Sequence, residues 1–404
     1  MKYEDVISFE SLMKAADQCC SGVMWKSSTQ SFKVNQARWA ADLHRQLAAG
    51  TYKSRGFTNF TITERGKTRR IQSVHISERC VQKSLCQNAL RPLIESRLIY
   101  DNSASLPGKG TTFALRRLRK HLWQHYQKHG RTGGILLMDY SNYFGSIDHR
   151  ILLQMLRRVI EDDLIYALTK HFIDCFDDDV GLGLGSEVSQ ICAIFYPNAI
   201  DHYIKEQLRI KGYGRYMDDS YIIHHDLDYL RYCLQEVERL AAGLGLKLNP
   251  KRTQIVRLDG HFEYLKKRTH LTDTGKVVMR LTRKNITKRR QLLKKHKEML
   301  DAGRIDFETI RQSYQSWRGY AVKCDSFRTV QSMDKLFDEL FIKDFVSGKE
   351  HYGCGICESP EAATGSAKCA DGRKREDPRG AAGGSRAGRC RRYRKNGERG
   401  GIEK

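Results

Sequence analysis

An α+β fold is what this 404-residue sequence predicts. Three observations point to it. Helix-like and strand-like segments follow one another without the regular βα rhythm of a doubly wound sheet. Apolar residues recur at helical spacing in several long segments, as at Leu227, Leu230, Leu234, Val237, Leu240, Ala241 and Leu244. Between these segments lie short apolar and β-branched runs that read as hairpins.

From the N-terminus, Phe9 to Cys20 and Gln36 to Ala48 have helical spacing. Phe57, Phe60 and Ile62 lead into a basic turn, Arg65-Gly66-Lys67-Thr68-Arg69-Arg70-Ile71, as in a β-hairpin. Helical spacing resumes through Val81, Leu85, Ala89, Leu90 and Leu93. Ile135 to Met138 is a short apolar strand ending at Asp139, and a helix from about His149 to Ile160 follows. Gly181 to Gln190 is glycine-rich and precedes a helix. Tyr216-Met217-Asp218-Asp219 lies between apolar flanks, so strand, turn and strand carry the Asp pair at a tip. Asn285 to Leu300 is a strongly basic helix. Residues 351–404 differ: 13 Lys/Arg stand against 7 Asp/Glu, with many Gly and Ala and few large apolar side chains. Such a segment buries too little surface to offset its ordering entropy, and disorder is expected.

The formal charge is +24 and the isoelectric point about 9.6. That balance favours a polyanionic partner, nucleic acid first and an anionic membrane surface second. No apolar run approaches the roughly 20 residues that span a bilayer, so no membrane role is expected. The first residues lack a signal-peptide apolar region. Twelve cysteines are scattered, several in apolar contexts (Cys80, Cys86, Cys192, Cys233), as reduced thiols in a cytosolic protein would be.

Two adjacent carboxylates at a hairpin tip are costly unless a cation is present. Magnesium, a hard ion that takes carboxylate and phosphate oxygens, suits them. Alone, Asp218-Asp219 also reads as a solvated turn, and Asp139 as a turn cap. Taken together, the three aspartates would supply ligands for two magnesium ions, with manganese as a substitute. One ion would activate a primer 3′-hydroxyl and the other would hold the triphosphate.

Asp139 on its strand, Phe144 five positions on, and Tyr216-Met217-Asp218-Asp219 on a hairpin resemble the palm of a reverse transcriptase. The resemblance implies a right-hand polymerase: N-terminal extension and fingers over 1–130, palm with part of the fingers over 131–265, helical thumb over 266–349, and a disordered Gly/Arg-rich tail over 350–404. It implies that Asp139, Asp218 and Asp219 are catalytic and bind the metals, with Tyr140 in the metal set. Phe144 matches the aromatic gate against the ribose 2′-hydroxyl. Gly66 to Arg69, with Ile76, Glu78, Arg79, Val81 and Gln82, resembles the fingers motif, in which Lys67 and Arg69 approach the incoming triphosphate. Gly185, Ser186 and Gln190 fall where the family keeps its nucleotide and template loop. Tyr216, Met217, Arg252 and Lys266 fall among the primer and template contacts, and Arg252 is a candidate to assist pyrophosphate departure. Solvated basic turns, ordinary glycine loops and helix caps would explain several of these strings singly; their common order is what the family shares.

The chain departs from most bacterial members at Leu184 and Gln190, where Gln and Pro are usual, at Val74 and at Lys266. The Leu184–Gln190 pattern is similar to that of diversity-generating retroelement enzymes, which mis-incorporate opposite template adenines. Ser313 to Tyr320 and the basic helix before it resemble the thumb, whose cations would track duplex phosphates. Cys354, Cys357, Cys369 and Cys390 read either as a zinc knuckle or as free thiols. The expectation is therefore a cytoplasmic, bacterial or phage-encoded RNA-directed DNA polymerase. Its partners would be template RNA, a primer or cDNA strand, dNTPs and a small basic accessory protein. Retron, group II intron-like and phage-defence enzymes are the alternatives within the family, and a non-catalytic RNA-binding protein is the alternative outside it.

Overall fold

The computed structural model describes residues 1–64, 67–176 and 178–342, so the expected tail and its cysteines lie outside the described residues. Four helices open the chain: α1 (Tyr3–Ile7), α2 (Phe9–Cys20), α3 (Ser27–Val34) and α4 (Gln36–Ala48). The bounds of α2 and α4 are those the apolar spacing predicts. The hairpin follows as β1 (Phe57–Glu64) and β2 (Lys67–Val74), paired antiparallel. Next come α5 (Ile76–Leu85), a π-turn over Cys86–Leu90, and α6 (Arg91–Glu95). The predicted continuous helix is therefore real but is interrupted by one wider turn.

Helix α7 (Thr111–His129) precedes β3 (Gly134–Asp139), and a 3-10 turn over Phe144–Ser146 leads to α8 (His149–Arg157) and α9 (Asp163–Asp174). Helix α8 stops three residues short of the expected end. Then come α10 (Glu187–Phe195), α11 (Asn198–His202), a π-turn over Tyr203–Gln207, and the second hairpin, β4 (Gly212–Tyr216) and β5 (Asp219–His224). Helix α12 (Leu227–Gly243) leads to β6 (Gln254–Arg257) and to a three-stranded sheet of β7 (His261–Tyr264), β8 (Lys267–Leu271) and β9 (Val277–Leu281). Three helices close the described chain: α13 (Arg283–Asp301), α14 (Phe307–Ala321) and α15 (Phe327–Phe341). Ser and Asp side chains cap many of the helix starts, as Asp148 does for α8 and Asp226 for α12. The α+β class is as predicted.

The central sheet has the order β4-β5-β3-β6, antiparallel throughout. Every residue of β3 is buried. Successive side chains point to opposite faces, so β3 feeds two cores. Leu136 and Met138 join the large core shared with α8 and α12. Ile135 and Leu137 join a second core, under α7 and the sheet of β7 to β9. Burial on both faces pins β3 in place, because a one-residue slip would exchange the two cores. A separate cluster of Leu293, Ile310, Tyr314, Met333 and Phe337 knits α13, α14 and α15 together. Among the described residues, no helix is long and apolar enough to cross a membrane.

Candidate active site

The site is built at one end of the central sheet. Asp139 is the last residue of β3 and Asp219 the first of β5, and the antiparallel register sets them directly opposite each other. Tyr216 pairs with Asp219 across the hairpin, so Met217 and Asp218 alone form the turn. Tight two-residue turns need a positive φ at their first centre, a place that normally goes to Gly, Asn or Asp. Here Met217 takes it, with φ +58°. A non-glycine residue there costs about 1–3 kcal/mol and persists only where its surroundings over-determine it.

Arg215 supplies that constraint. Its guanidinium donates to the main-chain oxygens of Met217 (3.0 Å) and Ile194 (2.7 Å). It also donates to both carboxylate oxygens of Asp201, at 2.6–3.0 Å. Tyr213 donates its hydroxyl to the same carboxylate at 2.6 Å. Asp201 and Arg215 are 0% and 1% exposed, so this is an ion pair fully inside the protein. Sequence reasoning singles out neither residue. The available signal is a lone Arg amid the aromatic residues of a short strand.

The acidic end of the sheet is organised differently. Asp139 is buried, and its Oδ2 accepts from Asn249 Nδ2 at 3.1 Å while Oδ1 accepts from Arg252 Nη1 at 2.5 Å. Burial first, then the charges of Asp218 and Asp139, push the Asp219 carboxyl up to about 7, with Arg252 opposing them. Three carboxylates thus repel one another in a partly dry corner, a cost that a cation relieves. Hard oxygen donors on rigid strand ends suit a divalent ion such as magnesium, which fits this donor set. Among the described residues, though, no three acidic, His or Cys side chains are yet gathered closely enough to hold an ion. The cation on Asp139 is Arg252.

The other expected residues divide. Met217 and Tyr216 are half-buried and pack with Ala104, Leu106 and Ile194, behind the turn. Phe144 is half-buried, edge-on to Tyr143 with ring centres 5.8 Å apart. Gly185 and Gln190 line a cleft of about 520 Å³ with Arg79, Gln82, Lys83 and Arg91, and none of the three aspartates lines it. Gly185 has φ +125°, and a Cβ there would lie 2.9 Å from the Gln72 carbonyl, so Gly is required. Exposed Arg69 lies on β2 opposite Ile62. Lys67 belongs to β2, but its side chain lies outside the described residues. Leu265 and exposed Lys266, with φ +46° and +63°, form the tight turn between β7 and β8.

Three further expected residues have contacts of their own. Ser186 is buried, and its hydroxyl caps α10 by accepting from Ser189 N (3.3 Å) and donates to Gln82 (3.0 Å). The Tyr140 ring is buried and stacked on Tyr143 at 5.5 Å, so its side chain belongs to the core. Arg252 pairs with Asp139, at the carboxylate corner.

Protein YkfC of Escherichia coli (strain K12) is 27% identical over 184 residues, which are 43% of this chain and 48% of that protein. The chain thus spans about half the length of the curated relative it matches. Two solved telomerases have the same TM-score, 0.44. One, from Candida albicans in complex with a fragment of telomeric RNA, is 10% identical over 57% of this chain and 46% of its own. The other, an apo form from Candida tropicalis, is 12% identical over 55% of this chain and 54% of its own. The family model described as reverse transcriptase (RNA-dependent DNA polymerase) matches residues 56–295, more than half of the sequence and a span that contains all three aspartates, and the chain therefore belongs to the reverse transcriptase family.

Proposed function

We propose that this protein is an RNA-directed DNA polymerase that copies a template RNA into cDNA by metal-dependent nucleotidyl transfer. The observation that carries the reading is the register of Asp139 opposite Asp219 with Asp218 in the adjoining turn. In the right-hand description, the central sheet is the palm, β1 and β2 with the N-terminal helices form the fingers, and α13 to α15 form the thumb. Asp139, Asp218 and Asp219 would hold magnesium, which when bound supplies activation of the primer hydroxyl and neutralisation of the triphosphate charge.

The chain's own residues do the positioning. Arg215 holds the Met217-Asp218 turn, so that the Asp218 carboxylate is presented at a fixed place. Asn249 holds one oxygen of Asp139. The side chains of Arg69 and Lys67 would neutralise phosphate charge as it develops on the incoming nucleotide. Gly185 and Gln190, at the cleft, would face nucleotide and template, and Phe144 would select against the ribose 2′-hydroxyl. Arg283, Lys284, Lys288 and Arg290, exposed on α13, suit duplex phosphates, which makes binding salt-sensitive.

Leu184 and Gln190 favour a diversity-generating retroelement enzyme in a bacterial or phage-infected cytoplasm, working with a small basic accessory protein. Primer extension on defined RNA and DNA templates tests the whole reading. Asp218→Asn should extend about 1,000-fold more slowly than wild type, the scale on which losing a charge-stabilising group acts. Equal extension by both would leave a non-catalytic RNA-binding protein as the better account. Sequencing the products tests the subclass: errors concentrated opposite template adenines support it, and uniform fidelity refutes it.

A further inference from the structure

We infer that Arg252 is a resident counter-ion of the carboxylate site, one that occupies the Asp139 oxygen a divalent ion would use and must leave before that ion can bind. The inference rests on the metal-dependent reading above and adds a competition to it.

Three observations support it. The guanidinium lies 2.5 Å from Asp139 Oδ1, while the other oxygen is taken by Asn249. Each Asp139 oxygen thus already accepts a hydrogen bond, and a metal drawing on Oδ1 must compete with the Arg252 charge. The pair is lopsided: the Arg252 side chain is 56% exposed and that of Asp139 6%. A cation on the solvent side can depart into water, whereas the carboxylate cannot follow. The backbone under Arg252 is already fixed. Asn249 N donates to the Asp139 main-chain oxygen at 2.7 Å, and the N–H groups of Arg252 and Thr253 both close onto Asn249 O, at 3.0 and 2.8 Å. Displacement is therefore a side-chain swing about a rigid turn.

Arginine stays charged and offers a planar fork of donors that fits carboxylate and phosphate alike. Once displaced from Asp139, Arg252 remains beside the acidic corner with its charge free for an anionic substrate. Loading of the cation and delivery of the arginine are then a single exchange. Two cations drawing on one carboxylate are negatively coupled, and the coupling is reciprocal. The competing view, in which Arg252 merely orients Asp139 for the metal, predicts the opposite sign.

The test is Mn2+ binding to the full chain, measured by calorimetry and by paramagnetic resonance, without nucleic acid or nucleotide. Arg252→Ala should bind Mn2+ about five- to tenfold more tightly than wild type, the lower range of measured site-to-site couplings. Arg252→Gln, which retains hydrogen-bonding capacity without the charge, should do the same and covers the case that the alanine variant folds poorly. Arg252→Lys should stay close to wild type. Equal or weaker Mn2+ binding in the neutral variants overturns the counter-ion role while leaving the metal site standing. Failure of the wild type to bind Mn2+ any better than Asp139→Asn does overturns the metal reading itself, and the inference with it.

Discussion

Two Asp–Arg pairs lie within the same central architecture, and they behave as opposites. Asp201 and Arg215 are both fully buried, and every oxygen of the acid and each end of the guanidinium is engaged. Asp139 and Arg252 share one contact, with the arginine half in solvent and two more carboxylates close by. The first pair is closed and has nothing left to offer a ligand. The second is open, unevenly solvated and under repulsion, which is the condition in which a cation or a phosphate gains most. A charge pair that is complete holds a fold; one that is incomplete is available for chemistry.

The largest expected effect would break the closed pair. Asp201→Asn leaves the Arg215 charge buried without an anion and should cost about 3–5 kcal/mol, read as a loss of folded yield or a large fall in Tm. A fall no larger than that of a surface substitution would erase the contrast. The open pair should respond the other way. Asp219→Asn removes a carboxyl that the fold holds far from its ordinary range, so the metal-free protein should become more stable while extension falls about 1,000-fold.

The same carboxyl gives the comparison a pH dependence. Its folded pKa of about 7 lies above the unfolded value near 4, so the folded state binds the extra proton between those limits. Stability of the metal-free protein should therefore fall as pH rises from about 4 to 7, by a few kcal/mol at most, with Tm as the readout. Asp219→Asn should flatten the curve. At the cleft, Gly185→Ala meets both a left-handed backbone and the Gln72 carbonyl, and about 1–2 kcal/mol should be lost. Smallest of all, removing the exposed Lys170–Asp174 pair on α9 should change stability by less than about 0.5 kcal/mol.

Much of this architecture is legible in the order of residues alone. The strand ending at Asp139, the hairpin with its Asp pair, and helices α2, α4, α12 and α13 follow from period and from turn position, which are local properties. The β7–β8 hairpin is harder to see, because its turn uses Leu265 and Lys266 at positive φ where Asn-Gly is the usual signal. The directions of the Ser186 and Tyr140 hydroxyls are not legible either, because a motif specifies a position in the chain and not which way its hydroxyl faces.

The sequence by itself determined the elements, the basic surface and the three acids, since hydrophobic period, charge and spacing are carried by neighbours in the chain. Only the tertiary structure decided how those acids are held. Arg215 reaches Asp201 and the Met217 carbonyl at once, and Arg252 reaches Asp139 across more than a hundred residues. The worth of each contact depends on how much water remains around it, which no local stretch of sequence encodes.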